Sequence, residues 1–310
     1  MTDPLRDPPG ERSVEELLGF GVVNLDKPAG PSAHQVAAWV RDLAGVERAA
    51  HAGTLDPKVT GCLPTMLGDA TRLAPVFLEG SKEYVAVLEL HGLPPTDVES
   101  TLAAFETEIY QKPPRKSAVA RRLRSREIYE LDLLELQDRQ ALLRIRCESG
   151  TYVRKLCHDL GLALGTGGHM GALRRVATDP FDDTDLRTLQ DLADGLAWAR
   201  EDGQRRSSAQ GADEGHEAFL RDVVSPAERA MAHLPAITIA PSAAREVAEG
   251  APVYAPGVVD YDGAAAALDP GDGDLLACYT PDGSAVCLGK LVGDLDAESG
   301  EAVSLERVLV

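Results

Sequence analysis

His51-Ala52-Gly53-Thr54-Leu55-Asp56-Pro57-Lys58-Val59-Thr60-Gly61 sets one carboxylate between a leucine and a proline, with a glycine on either side. Such a stretch builds neither a helix nor a central strand. Pro57 fixes its own φ and turns Asp56 away from the helical region. Gly53 and Gly61 let the chain bend where a side chain would block it. The expectation is a tight loop that aims Asp56 in one direction. Taken alone, an Asp before proline is more often a plain turn residue, so its meaning rests on what surrounds it.

Upstream, Gly21–Leu25 reads as a strand that ends in the turn Asp26-Lys27-Pro28-Ala29-Gly30. Ser32 and Gln35 form a capping-box pair, and Val36, Val40 and Leu43 mark one face of a helix that Gly45 stops. Downstream, Leu63–Leu73 reads as a second helix, ending at Ala74-Pro75, and Lys82–Leu90 as a buried strand with Tyr84 near its start. A helix is expected from about Val98 to Ile109, then strands at 128–136 and 141–147. Val153, Leu156, Leu160 and Leu164 outline a helix that Ser149 or Thr151 could cap. Arg154 falls in its first turn, where the helix dipole does not favour a cation. A carboxylate from another segment should therefore hold it. Gly167–Arg175 reads as a flexible entry into a mixed apolar and basic stretch.

The chain has 310 residues, a length that suits about two domains. Residues 200–222 are polar and rich in Gly, Ser and Ala, and read as a surface insertion. From Pro235 on, short β-like runs are broken by Gly, Pro and Asp, the texture of a small all-β module. The division that follows is an N-terminal tail (1–20), a main domain (21–234) and a C-terminal module (235–310).

Fifty acidic against 31 basic residues give a net charge of −19. That acidity speaks against nucleic acid in general, since phosphate contacts need local positive charge. It fits instead a saline cytoplasm, where salt screens the self-repulsion. The exception is residues 112–126, with seven basic side chains and no acidic one. In so acidic a chain this run reads as a phosphate-binding segment. The five cysteines include no C-x-x-C pair, so neither a disulfide frame nor a metal site is expected. With no apolar run near the ~20 residues of a membrane span and no signal-peptide core, a cytoplasmic location is expected.

Taken together, Gly21–Pro28, His51–Gly61, Lys82–Ala86, Lys112–Val119, Gly150–Leu156 and His169–Arg175 resemble the ordered motifs of the TruB-type pseudouridine synthases. They are most similar to the archaeal counterpart of dyskerin, the catalytic subunit of H/ACA ribonucleoproteins. Glu249–Gly257 and Ala285–Lys290 resemble a PUA domain. The resemblance implies an α+β fold, with a central mixed, largely antiparallel sheet flanked by helices and a small β-barrel-like PUA domain. It implies isomerisation of uridine to pseudouridine, guided by H/ACA RNA on rRNA and possible without a guide on the tRNA thymine loop. No cofactor or metal is implied.

By the same resemblance Asp56 is the catalytic carboxylate, open to three roles: attack on the sugar, attack on the base, or removal of a sugar proton. Arg154 would pair with it, and Tyr84 would stack on the uracil and serve proton transfer at carbon 5. Leu173 would wall the pocket, and His51 would fill the stack left by a flipped nucleotide. Tyr152, Lys82, Arg115, Lys116, Arg121 and Arg122 would complete the RNA contacts, largely to backbone. Implied partners are guide RNA, rRNA and tRNA, two small core proteins of the H/ACA particle, and a kink-turn-binding protein that enters through the guide. The competing reading is a non-catalytic RNA-binding scaffold, which would not require Asp56, Tyr84 and Arg154 together. Hydrolysis at Asp56 is weaker, because no motif supplies a second acid/base carboxylate.

Overall fold

Thr60–Gly68, at the heart of the molecule, is a strand and not the helix its apolar run suggests; the helical turn that follows is a short 3-10 segment, Asp69–Leu73. The computed structural model describes residues 3–95, 97–113, 120, 122–207 and 214–310. In chain order the first elements are Val14–Gly19 (α1), Phe20–Lys27 (β1), Ala33–Ala44 (α2), Ala49–His51 (β2), Thr60–Gly68 (β3), Val76–Glu79 (α3) and Lys82–Leu90 (β4). Glu99–Ala103 (α4), Glu108–Gln111 (β5), Arg124–Gln137 (β6), Gln140–Cys147 (β7), Val153–Ala163 (α5), Gly168–Thr178 (β8) and Phe181–Asp182 (β9) follow. Leu189–Ser207 (α6), Glu214–Val223 (α7) and Ser225–Pro226 (β10) close the first part.

These strands form one sheet in the order β10-β1-β3-β8-β4-β7-β6-β5, with β2 paired to β3 and β9 to β8. Neighbours run antiparallel except β3 and β8, which are parallel through Thr60↔Arg174 and Gly61↔Arg175. The mixed, largely antiparallel sheet with helices on it is the α+β fold expected. β1 and β3 are buried on both faces: Val23, Leu25, Leu63 and Leu67 face α2 and α5, while Phe20, Val22, Cys62 and Met66 face the other way. β4 alternates buried and half-buried residues, with Tyr84, Ala86 and Leu88 on the helix-covered face.

Several local expectations change. The helix foreseen over Val98–Ile109 is only Glu99–Ala103; Glu108–Gln111 instead pairs along β6. Tyr152, not Ser149 or Thr151, occupies the N-cap of α5, and Thr151 Oγ1 donates to the Glu148 carbonyl instead. Gly167–Arg175 is no flexible entry: it belongs to β8, a central strand. A Cβ on Gly161 would lie 2.3 Å from the Gly168 amide nitrogen, so that glycine lets α5 rest directly on β8. Within residues 200–222, α6 reaches Ser207 and α7 packs back with Leu220 fully buried.

The second part holds Ala236–Ile239 (β11), Pro241–Ala248 (α8), Val253–Tyr254 (β12), Val258–Tyr261 (β13), Gly263–Ala266 (α9), Leu275–Tyr279 (β14), Ala285–Leu291 (β15) and Glu301–Val308 (β16). Its sheet runs β12-β16-β15-β14-β11-β13, with only β11 and β14 parallel. Ile237, Val247, Leu276, Val286 and Val303 form its inner core. The other side of β14 and β15, with Leu275, Ala277, Ala285 and Leu288, joins the layer that contains Phe20, Val22 and Met66. One apolar layer therefore serves both sheets.

Arg6 and Arg12, within the N-terminal tail, anchor it to the rest of the molecule. Arg12 is buried, grips Glu228 through two hydrogen bonds of 2.7 and 2.8 Å, and lies over the Phe20 ring. Arg6 donates to the Leu309 carbonyl and pairs with Asp69, tying the first residues to the last strand and to the turn after β3.

Candidate active site

The Asp56 loop closes between β2 and β3, and its shape is held from beneath. Val59 N–H donates to the Asp56 carbonyl at 3.0 Å, which makes the turn around Pro57. Gly30 N–H donates to the Pro57 carbonyl at 2.8 Å. Lys27, fully buried at the end of β1, donates through Nζ to the carbonyls of Pro28, Pro57 and Val59 at 3.0, 3.1 and 2.7 Å. Backbone oxygens thus receive this ammonium in place of water, and burial lowers its pKa. Gly61 sits at φ +99, and a Cβ there would lie 2.1 Å from the Arg175 carbonyl oxygen. Any other residue would push β8 away from the loop.

Asp56 is ion-paired with Arg154, which projects from the first turn of α5. Asp56 is the carboxylate from another segment that an arginine in that place calls for. Both side chains are about half exposed, at 52% and 51%, so the pair stands open to a ligand. Tyr84 lies on β4 and is buried. Across the sheet, Gly61, Arg175 and Tyr84 occupy one row on β3, β8 and β4. Arg175 Nε donates to the Cys62 carbonyl at 2.7 Å and a terminal nitrogen reaches the Gly53 carbonyl at 3.4 Å. Tyr84 is its partner across the β4–β8 pairing, close enough for the guanidinium charge to act on the phenol. Burial raises the phenol pKa, and Arg175 opposes that rise.

His51, just before the loop, stands edge-on to His34 of α2, with Nε2 3.5 Å from His34 Nδ1. Burial, followed by the positive charge of His34 and Arg175, lowers its pKa to about 4. The ring is therefore neutral at physiological pH. Its Nδ1 is buried and has no hydrogen-bond partner. Leu173 is half-buried on β8 opposite Ala86. Tyr152 exchanges two backbone hydrogen bonds with the Gln111 side chain, which fixes the start of α5.

Lys82 departs from its expected place. Instead of reaching RNA backbone it is buried, and Nζ donates to the carbonyls of Phe77, Gly80 and Ser81. Burial and the nearby Arg175 lower its pKa to about 8. Arg122 is exposed, while Arg115, Lys116 and Arg121 lie outside the described residues. No cluster of three or more metal-ligating side chains occurs among the described residues. Nor is any described helix long and apolar enough to cross a membrane.

Sequence reasoning passed over Lys27, His34 and Arg175. A lysine closing an otherwise apolar strand before Pro28 was the available signal for the first. Arg175 was hidden inside a stretch not recognised as a strand.

Comparison with known proteins places the chain closely. Residues 41–96 and 91–153 match the TruB family pseudouridylate synthase N-terminal domain, and 154–232 the tRNA pseudouridylate synthase B C-terminal domain. Residues 6–37 match the DKCLD domain. A probable tRNA pseudouridine synthase B of Halobacterium salinarum is 66% identical over 99% of both chains. One from Pyrococcus abyssi is 42% identical over 98% of this chain and 87% of its own. Among solved structures, a chain in a Cbf5-Nop10-Gar1 complex superposes with a TM-score of 0.87 at 41% identity, covering 99% of this chain and 90% of that one. A chain in an H/ACA RNP bound to a substrate RNA containing 2'-deoxyuridine gives 0.86 at 39%, covering 100% and 91%.

Proposed function

The chain belongs to the TruB family of pseudouridine synthases, and we propose that Asp56, Tyr84 and Arg154 carry out the isomerisation of uridine in its site. The reaction breaks the N1–C1′ bond, turns the uracil and rejoins it through carbon 5. Asp56 supplies the carboxylate for the sugar or base, a role that carboxylates fill in covalent catalysis. Arg154 pairs with it and holds its aim. Tyr84 meets the uracil and takes part in proton transfer at carbon 5, with Leu173 as an apolar wall. The observation that supports this reading is the half-exposed Asp56–Arg154 pair, standing on a loop that is otherwise bonded down on both sides.

The substrate reading is uridine in rRNA, selected by H/ACA guide RNA, with the tRNA thymine loop as a guide-independent target. The two relatives superposed above are described with Nop10 and Gar1 and with substrate RNA; this chain is proposed to take the corresponding two small proteins, and a kink-turn-binding protein through the guide. Residues 21–234 form the catalytic domain and residues 235–310 a PUA domain that holds RNA, acting in the cytoplasm. His51 neighbours the flipped nucleotide, and Arg115, Lys116, Arg121 and Arg122 meet RNA phosphates.

The test is pseudouridine content in RNA incubated with the purified chain in molar KCl. One arm uses a tRNA thymine-loop transcript, the other guide RNA, core proteins and a target rRNA fragment. Wild type should form product in the second arm, and Asp56→Ala should form none while binding RNA within about threefold of wild type. Product from Asp56→Ala would remove Asp56 from the mechanism.

A further inference from the structure

Arg175 is 1% exposed, and no carboxylate pairs with it among the described residues. An arginine cannot shed its proton in a protein, and a buried, unpaired charge costs several kcal/mol after relaxation. The Cys62 carbonyl on β3, the Gly53 carbonyl in the loop and the nearby Tyr84 phenol are its neighbours, and neutral dipoles compensate only part of a full charge. A cation placed so is suited to an anion that forms during turnover. A phosphate cannot serve, because the guanidinium is shut off from solvent. The anion must arise on a group that already touches it.

The candidates around it are few. Cys62 on β3 and Cys147 on β7 stand near the Tyr84 phenol, and burial pushes both thiols up to about 12, so they stay protonated. His51 and Lys82, the other titratable groups facing Arg175, are neutral or cationic. Tyr84 remains, its position directly opposite Arg175 in the β4–β8 pairing. We propose that Arg175 stabilises Tyr84 as a phenolate while that side chain exchanges protons with the uracil, which makes Arg175 a positioning residue acting through Tyr84. The proposal rests on the reading of Tyr84 as the proton-transfer group.

The protons balance without any co-reactant. Isomerisation removes the hydrogen from C5 and adds one to N1, and both atoms flank C6. Once the C5–C1′ bond has formed, Tyr84 gives its phenolic proton to N1. The phenolate left behind, next to Arg175, takes the proton from C5. The C5–H electron pair becomes the C5=C6 double bond, and the C6=N1 π pair moves onto N1. Tyrosine ends protonated, as it began.

The test is single-turnover conversion of target RNA at pH 7 by the full chain with guide RNA and core proteins, carrying at position 84 either tyrosine or a fluorinated tyrosine whose phenol gives up its proton more readily. Arg175→Gln should lower the rate about 100-fold with tyrosine, the scale of one proton-transfer group, and the loss should shrink severalfold with the fluorinated tyrosine, whose phenolate needs less help. Arg175→Lys, which keeps a buried cation but not the planar fork, should show the same trend more weakly, and it carries the comparison if the Gln variant does not fold. RNA affinity should stay within about threefold of wild type for both, since neither touches RNA. A loss of equal size with either phenol overturns the proposal. Tyr84→Phe separates the two ideas: wild-type turnover by that variant overturns the reading of Tyr84 itself. An inactive Tyr84→Phe beside an Arg175 loss that is the same with either phenol overturns only the role of Arg175.

Discussion

Lys27 Nζ lies 2.7 Å from the Val59 carbonyl oxygen and 3.1 Å from that of Pro57, so one buried ammonium clasps the loop just beyond Asp56. In Lys27→Met the side-chain volume is kept and the carbonyls lose their donor. Stability should fall by about 2–4 kcal/mol, the cost of leaving buried acceptors unsatisfied, as read by denaturant unfolding. Turnover should fall further than RNA affinity, because the loop that aims Asp56 is what loosens. Equal losses in both would show that Lys27 supports the fold at large and not the loop.

The Asp56–Arg154 pair is open to solvent, and exposed pairs contribute little to stability. Arg154→Ala should therefore change unfolding free energy by less than about 1 kcal/mol, yet lower single-turnover conversion at least 100-fold. A large drop in stability with little effect on turnover would reverse that assignment.

His51 titrates at about 4 in the folded chain against 6.5 when exposed. Between those values the unfolded chain binds a proton that the native one does not. Wild-type stability should accordingly decline as pH falls from about 6.5 to about 4, by on the order of 2 kcal/mol from this residue. His51→Gln should lack that part of the slope. Parallel stability curves for the two proteins would mean the imidazole is not held neutral.

Lys82 gives the mirror case at alkaline pH. Its native pKa is about 8 and its exposed value 10.5. As pH rises between them the native chain releases a proton that the unfolded chain keeps, so stability should climb, by roughly 3 kcal/mol in total. Lys82→Met should lose that rise, and its RNA affinity should match wild type. Weakened RNA binding would restore Lys82 to the RNA-contacting surface.

How much of this was legible in the sequence depended on whether the cause was local. Ser32 and Gln35 announce the start of α2, and the capping box is formed as read. The Asp56 loop and the need of Arg154 for a distant carboxylate follow from proline, glycine and helix-dipole chemistry. Leu63–Leu73 misled because an apolar run of that length fits a helix or a doubly buried strand equally. Its eight-residue pairing with β1 decides the matter, and that pairing is not written in the run itself. Arg175 and Lys82 show the same limit. Their side chains look like surface cations until a neighbouring strand covers them, and which strand does so is a property of the sheet order.

The apolar layer that Phe20, Val22 and Met66 share with Leu275, Ala277, Ala285 and Leu288 sets how the molecule comes apart. Surfaces of this kind match those between obligate subunits, which resemble a core cut in two. A backbone cut beside Leu234 would leave two polypeptides still bound to each other, and each alone would present a bare hydrophobic wall to water. In that sense the protein is a permanent heterodimer written on a single chain, and Arg6, bonded to the Leu309 carbonyl, is a clasp across its seam.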